Sequence, residues 1–353
     1  MSLITYVTRI HFAERVFEDA LASEMARLRV SRPLLVTDED GPTEDGRAML
    51  EDALPSSATA IWDRTLAPPS DVGLAMWVET LAQAAREAEC DVIVAFGGTS
   101  AMETGRRVAA VSAPGLPLVA VPTTTSDIGL GRPMQAGSTR TPAAAVPAAI
   151  LCDPCLTYGT DAMRTAAHGF DALAHCIEAY LAPGYNPPAD GIALEGIYRA
   201  THNLEEAVRD GRRPAPRREM MAAALNGALA AQKGLGATEA IALGLEAETG
   251  DALPHGRLHA SVLPRILGFN APAVGDRYRR IAVEMGHAPQ ADLIDVLAEF
   301  GLRIGLPDRI GYLGLDRAAL GRVAARAAAD PATQTNPRHA TKADYLALLE
   351  DAV

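Results

Sequence analysis

Short apolar runs alternate with amphipathic stretches along the first part of the chain. Residues 33–38, 91–96 and 117–121 are mostly aliphatic, which is typical of strands buried on both faces of a sheet. Strands that alternate with helices predict a parallel sheet covered by helices on both faces. The other elements predicted in this part are strand-like stretches over residues 4–16, 59–63 and 145–151 and helices over residues 18–28, 44–54, 72–88 and 102–111.

The pattern changes after residue 155. From about residue 160 onward, apolar residues recur at helical spacing, and the breaks between the stretches contain proline or glycine. We therefore predict an α/β, Rossmann-like dinucleotide-binding domain over residues 1–155 and an all-α domain over residues 156–353.

Composition narrows the class of partner and the compartment. The chain has 353 residues, 48% of them hydrophobic, and a formal net charge of −12. Without a run of Lys or Arg, this charge argues against nucleic acid or an anionic membrane surface as the main partner. The N-terminus does not resemble a signal peptide, and no apolar stretch reaches membrane-spanning length. We expect a cytoplasmic protein with reduced thiols, and we interpret Cys152-Asp-Pro-Cys155 as coincidental because no second pair accompanies it.

Candidate chemistry begins on the helix predicted over residues 168–180. Asp171 and His175 are four residues apart, so both side chains lie on one face of that helix. Apolar neighbours indicate that the helix is largely buried, and a buried carboxylate needs a cation, a donor or a metal beside it. The pair is therefore either half of a metal site or a hydrogen-bonded pair inside a helical core.

Polar and glycine-rich segments follow three of the predicted strands. Gly97-Gly98-Thr99-Ser100 joins a strand to a helix, where glycines and a helix N-terminus favour a phosphate group. Thr123 and Thr124 offer hydroxyl groups after the next strand, and Asp38 ends an earlier one. Ligands of open parallel sheets bind at the carboxyl ends of the strands, where an acid favours the ribose of NAD over NADP. The alternatives are a tight turn for the glycines and a helix cap or turn for Asp38.

A second imidazole stands at a predicted bend. His255 follows Pro254 and precedes Gly256, a sequence that can aim its side chain inward. The alternative is a histidine that caps the following helix.

Together these segments resemble the iron-containing alcohol dehydrogenase superfamily and, within it, the maleylacetate reductases. The resemblance covers nearly the whole chain and is most specific over residues 169–180. The other matching segments are Gly97-Gly98-Thr99-Ser100, Val121-Pro122-Thr123-Thr124, the segment 152–157, the segment 253–270 and the C-terminal Asn336-Pro337-Arg338.

The resemblance implies a dehydroquinate synthase-like fold and an enzyme that uses NAD(H) or NADP(H). The cofactor would bind the N-terminal domain, with hydride transfer to a small molecule in the cleft between the domains. It also implies a homodimer and a divalent metal, Fe2+ or Zn2+, held by one Asp and three His. Asp171, His175 and His255 match three of those ligands.

The fourth ligand departs from the family pattern. The family has a His-x-x-x-His helix after Gly-Leu-Gly, and alignment on Gly234-Leu235-Gly236 puts Glu239 and Leu243 at the two histidine positions. An ungapped alignment from His255 would instead put Ile241 and Leu245 there. We prefer Glu239, because a carboxylate can ligate a hard cation. The predicted ligands are therefore Asp171, His175, Glu239 and His255.

The cofactor loop departs as well. Thr99 replaces a glycine, Glu103 and Arg106 replace an Asp and a Lys, and Asp127 brings a negative charge towards the expected pyrophosphate.

These features predict a reductase or dehydrogenase of a small carboxylated carbonyl or alcohol, similar to maleylacetate reductase. Arg338 or Arg132 is a candidate for recognising the carboxylate, and His175 or His255 would be the proton donor if no metal is bound. The alternatives are a dehydroquinate synthase-like enzyme, a polyol-phosphate dehydrogenase-like enzyme and a non-catalytic homologue.

Overall fold

A parallel sheet organises the first part of the chain. The structure is a computed structural model, which describes residues 8–37, 44–54, 59–61, 71–112, 115–126, 128–130, 145–250 and 253–353. Within these residues the sheet has six strands in the order β1-β6-β5-β4-β2-β3, and every pairing is parallel. The strands are β1 Arg9–Phe12, β2 Pro33–Thr37, β3 Thr59–Ile61, β4 Val92–Gly97, β5 Leu118–Pro122 and β6 Ala149–Cys152.

Four helices connect these strands. They are α1 Phe17–Leu28, α2 Glu44–Ala53, α3 Asp71–Glu87 and α4 Thr99–Val111. The central strands β2, β4 and β5 are buried along their whole length because their residues are almost all apolar. Phe17 of α1 packs edge-on against Phe96 of β4, with 5.3 Å between the ring centroids. The alternating pattern of the sequence predicted a parallel sheet with helices, and the structure confirms this prediction.

The carboxyl ends of β2, β4 and β5 lie side by side. Thr37 pairs with Phe96 across β2 and β4, and Gly97 pairs with Pro122 across β4 and β5. The strand order reverses between β2 and β4, so this edge is where an open parallel sheet binds its ligand.

The rest of the described chain is helical, as predicted. Its helices are α5 Ala162–Leu181, α6 Pro187–Arg209, α7 Pro214–Ala230, α8 Ala237–Thr249, α9 His255–Val274, α10 Arg277–Glu284, α11 Leu293–Arg303, α12 Arg317–Ala329 and α13 Lys342–Ala352. Short 3-10 helices cover Pro154–Thr157, Ala231–Lys233, Gly311–Leu313 and Pro331–Thr335. Leu245, Leu258, Val323 and Tyr345 belong to a core shared by α8, α9, α12 and α13.

The chain forms two compact units. One contains Asp161–Gly211 and Ala222–Val353, and the other runs to Thr160 and also contains Arg212–Met221. The division at residues 155 and 156 stays a prediction. No helix within the described ranges combines the length and the apolar character needed to cross a membrane.

Candidate functional site

Four potential metal ligands meet on two helices of the helical unit. Asp171 and His175 lie on α5, and His255 and His259 lie on α9. One potential ligand atom from each residue lies within 4.8 Å of the others. Asp171, His175 and His255 were among the predicted ligands, whereas His259 was not.

Helix α5 supplies one acid and one imidazole from successive turns. The helix begins after Asp161, whose side chain accepts a hydrogen bond from the Arg164 amide. Asp171 is buried, whereas 18% of the His175 side chain and 16% of the His255 side chain stay exposed. The cluster therefore has an accessible side, and His175 and His255 border it.

Helix α9 carries two imidazoles because it begins at His255. Pro254 stands at its N-cap, so the His255 side chain starts the first turn and His259 follows one turn later. Their ring centroids are 4.3 Å apart. The ring nitrogens of His255 contact carboxylates, which does not fit the alternative of a helix-capping histidine.

Glycine at position 256 lets α9 approach the backbone of α5. A Cβ atom there would lie 1.8 Å from the carbonyl oxygen of Ala167 and 3.0 Å from the amide nitrogen of Asp171. No side chain fits such a gap. The close crossing is what brings the start of α9 to the middle of α5, where Asp171 lies.

Glu239 of α8 joins the three imidazoles. Its Oε2 atom lies 3.2 Å from Nε2 of His175, 3.1 Å from Nε2 of His255 and 3.2 Å from Nε2 of His259. Glu239 is buried. The predicted ligand set therefore comes together, with one additional imidazole.

The N-terminus of α8 is fixed by two side chains from elsewhere in the unit. The Glu178 carboxylate accepts hydrogen bonds from the amides of Gly236, Thr238 and Glu239. Oδ1 of Asn336 accepts one from the Ala237 amide. These bonds satisfy amides that an α-helix leaves without partners, and a negative charge suits that end of the helix. They also fix the backbone from which Glu239 projects.

Each imidazole of α9 also has a carboxylate beside its Nδ1 atom. Nδ1 of His255 lies 2.5 Å from Oε1 of Glu246. Nδ1 of His259 lies 3.0 Å from Oδ1 of Asp171, although the pair lacks the alignment of a hydrogen bond. Both rings thus have one nitrogen towards Glu239 and the other towards a second acid, which is Glu246 for His255 and Asp171 for His259.

Mutual attraction sets the charge state of the metal-free cluster. Burial would raise the pKa of Asp171, but the neighbouring imidazoles, above all His175, hold it far below its usual range. Burial would lower the pKa of His175, yet the charge of Asp171 and the contact with Glu239 raise it to about 9. Glu246 and Glu239 likewise outweigh burial at His255 and raise its pKa well above the ordinary value. Asp171 is therefore ionised, and His175 and His255 hold their protons more strongly than a free imidazole does.

The described residues among those predicted to bind the cofactor lie at the carboxyl edge of the sheet. Gly97 ends β4, Gly98 is the N-cap of α4, and Thr99 and Ser100 open that helix with exposed side chains. The Thr123 amide donates to the Gly97 carbonyl oxygen over 2.9 Å, which joins the two predicted segments. Thr124 is buried, and its hydroxyl group has no hydrogen-bonding partner among the residues described.

Glu103 and Arg106, which follow the predicted phosphate-binding loop, pair with each other within α4. Glu103 accepts from Arg106 over 3.0 Å and from Arg107 over 2.6 Å, all on α4. Asp38, Asp127 and Arg132 lie outside the described residues. Arg338 donates to the Phe269 carbonyl oxygen and stacks over the Phe269 ring, 4.0 Å from its centroid.

His259 is the residue that sequence reasoning missed. The family pattern placed its His-x-x-x-His motif on α8, and the sequence lacks one there. The segment His255-Gly-Arg-Leu-His259 has the same spacing on the next helix. A search for that spacing over the whole chain would have found it.

Comparison with known proteins gives the same family along both parts of the chain. The profile of "Iron-containing alcohol dehydrogenase" matches residues 8–152, and that of "Fe-containing alcohol dehydrogenase family, C-terminal" matches residues 165–353. A 4-hydroxybutyrate dehydrogenase from Cupriavidus necator is 35% identical over 100% of this chain and 100% of its own length.

Solved structures agree with this relationship. A crystal structure of 1,3-propanediol oxidoreductase superposes with a TM-score of 0.86 at 25% identity, covering 100% of both chains. Maleylacetate reductase from Rhizobium sp. strain MTP-10005 superposes with a TM-score of 0.79 at 25% identity, covering 99% of this chain and 96% of its own.

Proposed function

Because the chain belongs to the iron-containing alcohol dehydrogenase family, we propose that it oxidises a small hydroxy acid with NAD and reduces the corresponding aldehyde acid. Membership makes it an NAD-dependent oxidoreductase of a small molecule. Our proposal goes beyond family membership in naming a hydroxy acid with a terminal alcohol as the substrate. The expected cytoplasmic location and homodimer stay predictions.

The observation that carries the proposal is the donor cluster with one accessible side. A catalytic metal site needs protein ligands on most sides and an open position for substrate. Asp171 and Glu239 are buried, while His175 and His255 remain partly exposed. This arrangement supports a catalytic role over a closed structural site.

The donors suit a divalent transition metal. Imidazole and carboxylate groups are ligands that Fe2+ and Zn2+ accept. Ligands about 2.1 Å from one ion lie about 3.4 Å apart when they are tetrahedrally arranged. The separations of 3.2 Å and 3.1 Å from Glu239 Oε2 to Nε2 of His175 and of His255 are close to that value. We propose Asp171, His175, Glu239 and His255 as metal ligands.

The carboxyl edge of the sheet suits a dinucleotide. Gly98 begins α4, whose N-terminus favours a phosphate group, and the Thr124 hydroxyl group is buried there without a partner among the described residues. Gly105 allows α4 to pack closely on β4, since a Cβ atom would lie 2.7 Å from Cβ of Ala95. We propose Asp38, Gly97, Gly98, Thr99, Ser100, Thr123 and Thr124 as cofactor-binding residues.

The chain's own residues would bind, orient and exchange protons. A bound divalent ion supplies Lewis-acid polarisation of the substrate oxygen, and bound NAD(H) accepts or supplies hydride. His175 and His255 border the accessible side, so they would hold the ion where the substrate oxygen binds, and they would donate a proton to that oxygen only if no ion is bound. Glu246 orients the His255 ring through Nδ1, and Glu178 fixes the backbone of Glu239. We propose His175 and His255 as the catalytic imidazoles.

The substrate class is supported by the relative from Cupriavidus necator. That protein acts on 4-hydroxybutyrate, and its identity to this chain extends along both complete lengths. A carboxylated substrate also agrees with the resemblance to maleylacetate reductases. We therefore propose 4-hydroxybutyrate and its semialdehyde as the first substrate pair for a test.

The test is a rate comparison on purified, metal-loaded protein. NADH formation is followed with 4-hydroxybutyrate, 1-butanol and 1,3-propanediol, and NADH consumption with succinic semialdehyde and maleylacetate. We expect kcat/KM for 4-hydroxybutyrate to exceed that for 1-butanol by about 10-fold or more, because a site that binds a carboxylate leaves its polar groups unpaired when 1-butanol is bound. Equal rates for the two alcohols would contradict the carboxylate class, and faster turnover of maleylacetate would assign the other branch.

A further inference from the structure

The chain carries an imidazole that the family pattern does not require. We propose that His259 is a ligand of the metal centre and supplies the third imidazole, which the family takes from α8. The inference rests on the proposed function, because it concerns the ligands of the same centre. It makes the centre a site of three imidazoles and two carboxylates.

The Nε2 atoms of His175, His255 and His259 lie at nearly equal distances from Glu239. His259 Nε2 lies 3.2 Å from Oε2 of Glu239, within 0.1 Å of the distances from His175 and His255 to the same oxygen. His259 is therefore placed towards Glu239 in the same way as two predicted ligands.

Each ring on α9 also has a carboxylate beside its Nδ1 atom. Histidines that bind metals almost always direct the other ring nitrogen towards a carboxylate, a carbonyl oxygen or water, which fixes the tautomer. His255 Nδ1 faces Glu246 at 2.5 Å, and His259 Nδ1 faces Asp171 at 3.0 Å. Each ring therefore has the carboxylate contact typical of a metal-binding histidine, and for His259 that carboxylate is itself a proposed ligand.

The donor set of this chain differs from that of the family at position 239 of α8. Glu239 stands where the family has an imidazole, so this chain would have only two imidazoles without His259. His259 lies on the helix that already carries His255 and is completely buried beside Asp171. An imidazole there restores the number of nitrogen donors, while Glu239 adds a negative charge. Two carboxylates balance the charge of a divalent ion.

The experiment measures metal binding by the full-length protein rather than activity alone. Wild type, His259→Asn, His259→Gln and the control His202→Asn are stripped and titrated with Zn2+ against a chromophoric chelator. His202 is a suitable control, because its Nδ1 lies 2.8 Å from the Tyr198 carbonyl oxygen on the surface of α6. The visible spectrum of each Co2+-loaded protein then reports the ligand field.

We expect both His259 variants to bind Zn2+ at least about 10-fold more weakly than wild type, with an altered Co2+ spectrum. His202→Asn should match wild type in both measurements. Circular dichroism of the metal-free proteins identifies a variant that fails to fold, in which case the other His259 variant is used. Unchanged affinity and spectrum in a folded His259 variant would overturn the inference.

A double variant tests directly whether the imidazole of His259 replaces an imidazole at position 239. Glu239→His combined with His259→Asn moves the third imidazole back to α8, and we expect it to bind Zn2+ more tightly than His259→Asn alone. Failure to gain affinity would count against the exchange of one imidazole for the other. If wild type binds Zn2+ through His259 but does not oxidise hydroxy acids, the proposed function fails while the inference stands.

Discussion

Single residues determine how tightly the imidazoles of the centre are oriented. Glu246 contacts Nδ1 of His255 from the side opposite Glu239. A carboxylate in that position fixes the tautomer in which Nε2 offers its lone pair. It therefore acts on the centre through His255.

We predict that Glu246→Gln weakens Zn2+ binding by about 10-fold, because an amide orients the ring less firmly than a carboxylate. Chelator competition measures the change. Glu248→Gln is a matched control on α8, since Glu248 pairs with Arg322 and Arg326 instead. Equal affinities of the two variants would contradict the orienting role of Glu246.

Glu24 of α1 is a buried acid outside the centre, and its charge contributes to the stability of the protein. Burial alone would raise its pKa, but hydrogen bonds from His11, Arg27 and Arg9 lower it from 4.5 to about 2. Because the folded protein binds this proton more weakly than the unfolded chain, the stabilisation is present above pH 4.5 and is lost as the pH falls towards 2.

We therefore predict that the free energy of unfolding of wild type exceeds that of Glu24→Gln at pH 6, and that the difference shrinks below pH 4.5. Urea unfolding of both proteins over this range provides the measurement. A difference that stays constant down to pH 2.5 would show that the charge of Glu24 does not matter.

The residue scale also shows what the sequence could predict about the site. Asp171 and His175 were predictable because helical spacing places them on one face. His255 was predictable from the bend and the family motif. His259 was not predictable from the family motif, which places its pair of histidines on α8. The contact of His259 with Glu239 depends on how α8 and α9 pack, which no local pattern encodes.

At the scale of elements, the crossing of α5 and α9 assembles the centre. Gly256 leaves no space for a side chain against Ala167, so the two helix backbones are in direct contact. Gly268 lies on the same helix, but a Cβ atom there would meet only Cδ1 of Ile294 at 3.6 Å. A side chain is therefore excluded at position 256 but has room at position 268.

We predict that Gly256→Ala lowers the free energy of unfolding by about 3 kcal/mol and also weakens Zn2+ binding, because α9 must move away from α5. Gly268→Ala should change stability by less than about 1 kcal/mol, and in the favourable direction, because alanine favours a helix. Thermal unfolding and chelator competition test both. Equal effects of the two substitutions would contradict the close crossing.

Most elements could be predicted from the sequence because their apolar periodicity was strong. The strand predicted over residues 91–96 is observed at Val92–Gly97, and the helix predicted over 72–88 is observed at Asp71–Glu87. Helix α4 begins at Thr99, earlier than the predicted residue 102. Its first turn carries polar side chains, so hydrophobic spacing gave no signal there.

At the scale of the whole molecule, all five candidate ligand residues belong to one compact unit, the helical one. They come from α5, α8 and α9, so a bound ion would link three helices that are separate in sequence. The order of sheet and helices was predictable from the change of pattern after residue 155. The assignment of residues 212–221 to the unit that contains the sheet was not predictable.

We predict that removing the metal lowers the melting temperature and that reloading restores it. An ion at 100 times its dissociation constant stabilises the folded state by about 2.7 kcal/mol. Hydrogen exchange should slow most in α5, α8 and α9 when Zn2+ is added to the stripped protein. Unchanged melting with and without chelator would contradict a tightly bound ion.

The division of α7 between the two units has a consequence for dissecting the protein into fragments. Residues Arg212–Met221 belong with the sheet, and the guanidinium of buried Arg217 donates to the Thr160 carbonyl oxygen over 3.0 Å. A gene cut after Thr160 would leave that segment on the wrong polypeptide. Neither half would then be a self-sufficient domain, and co-expression of the two halves should yield soluble protein where separate expression does not.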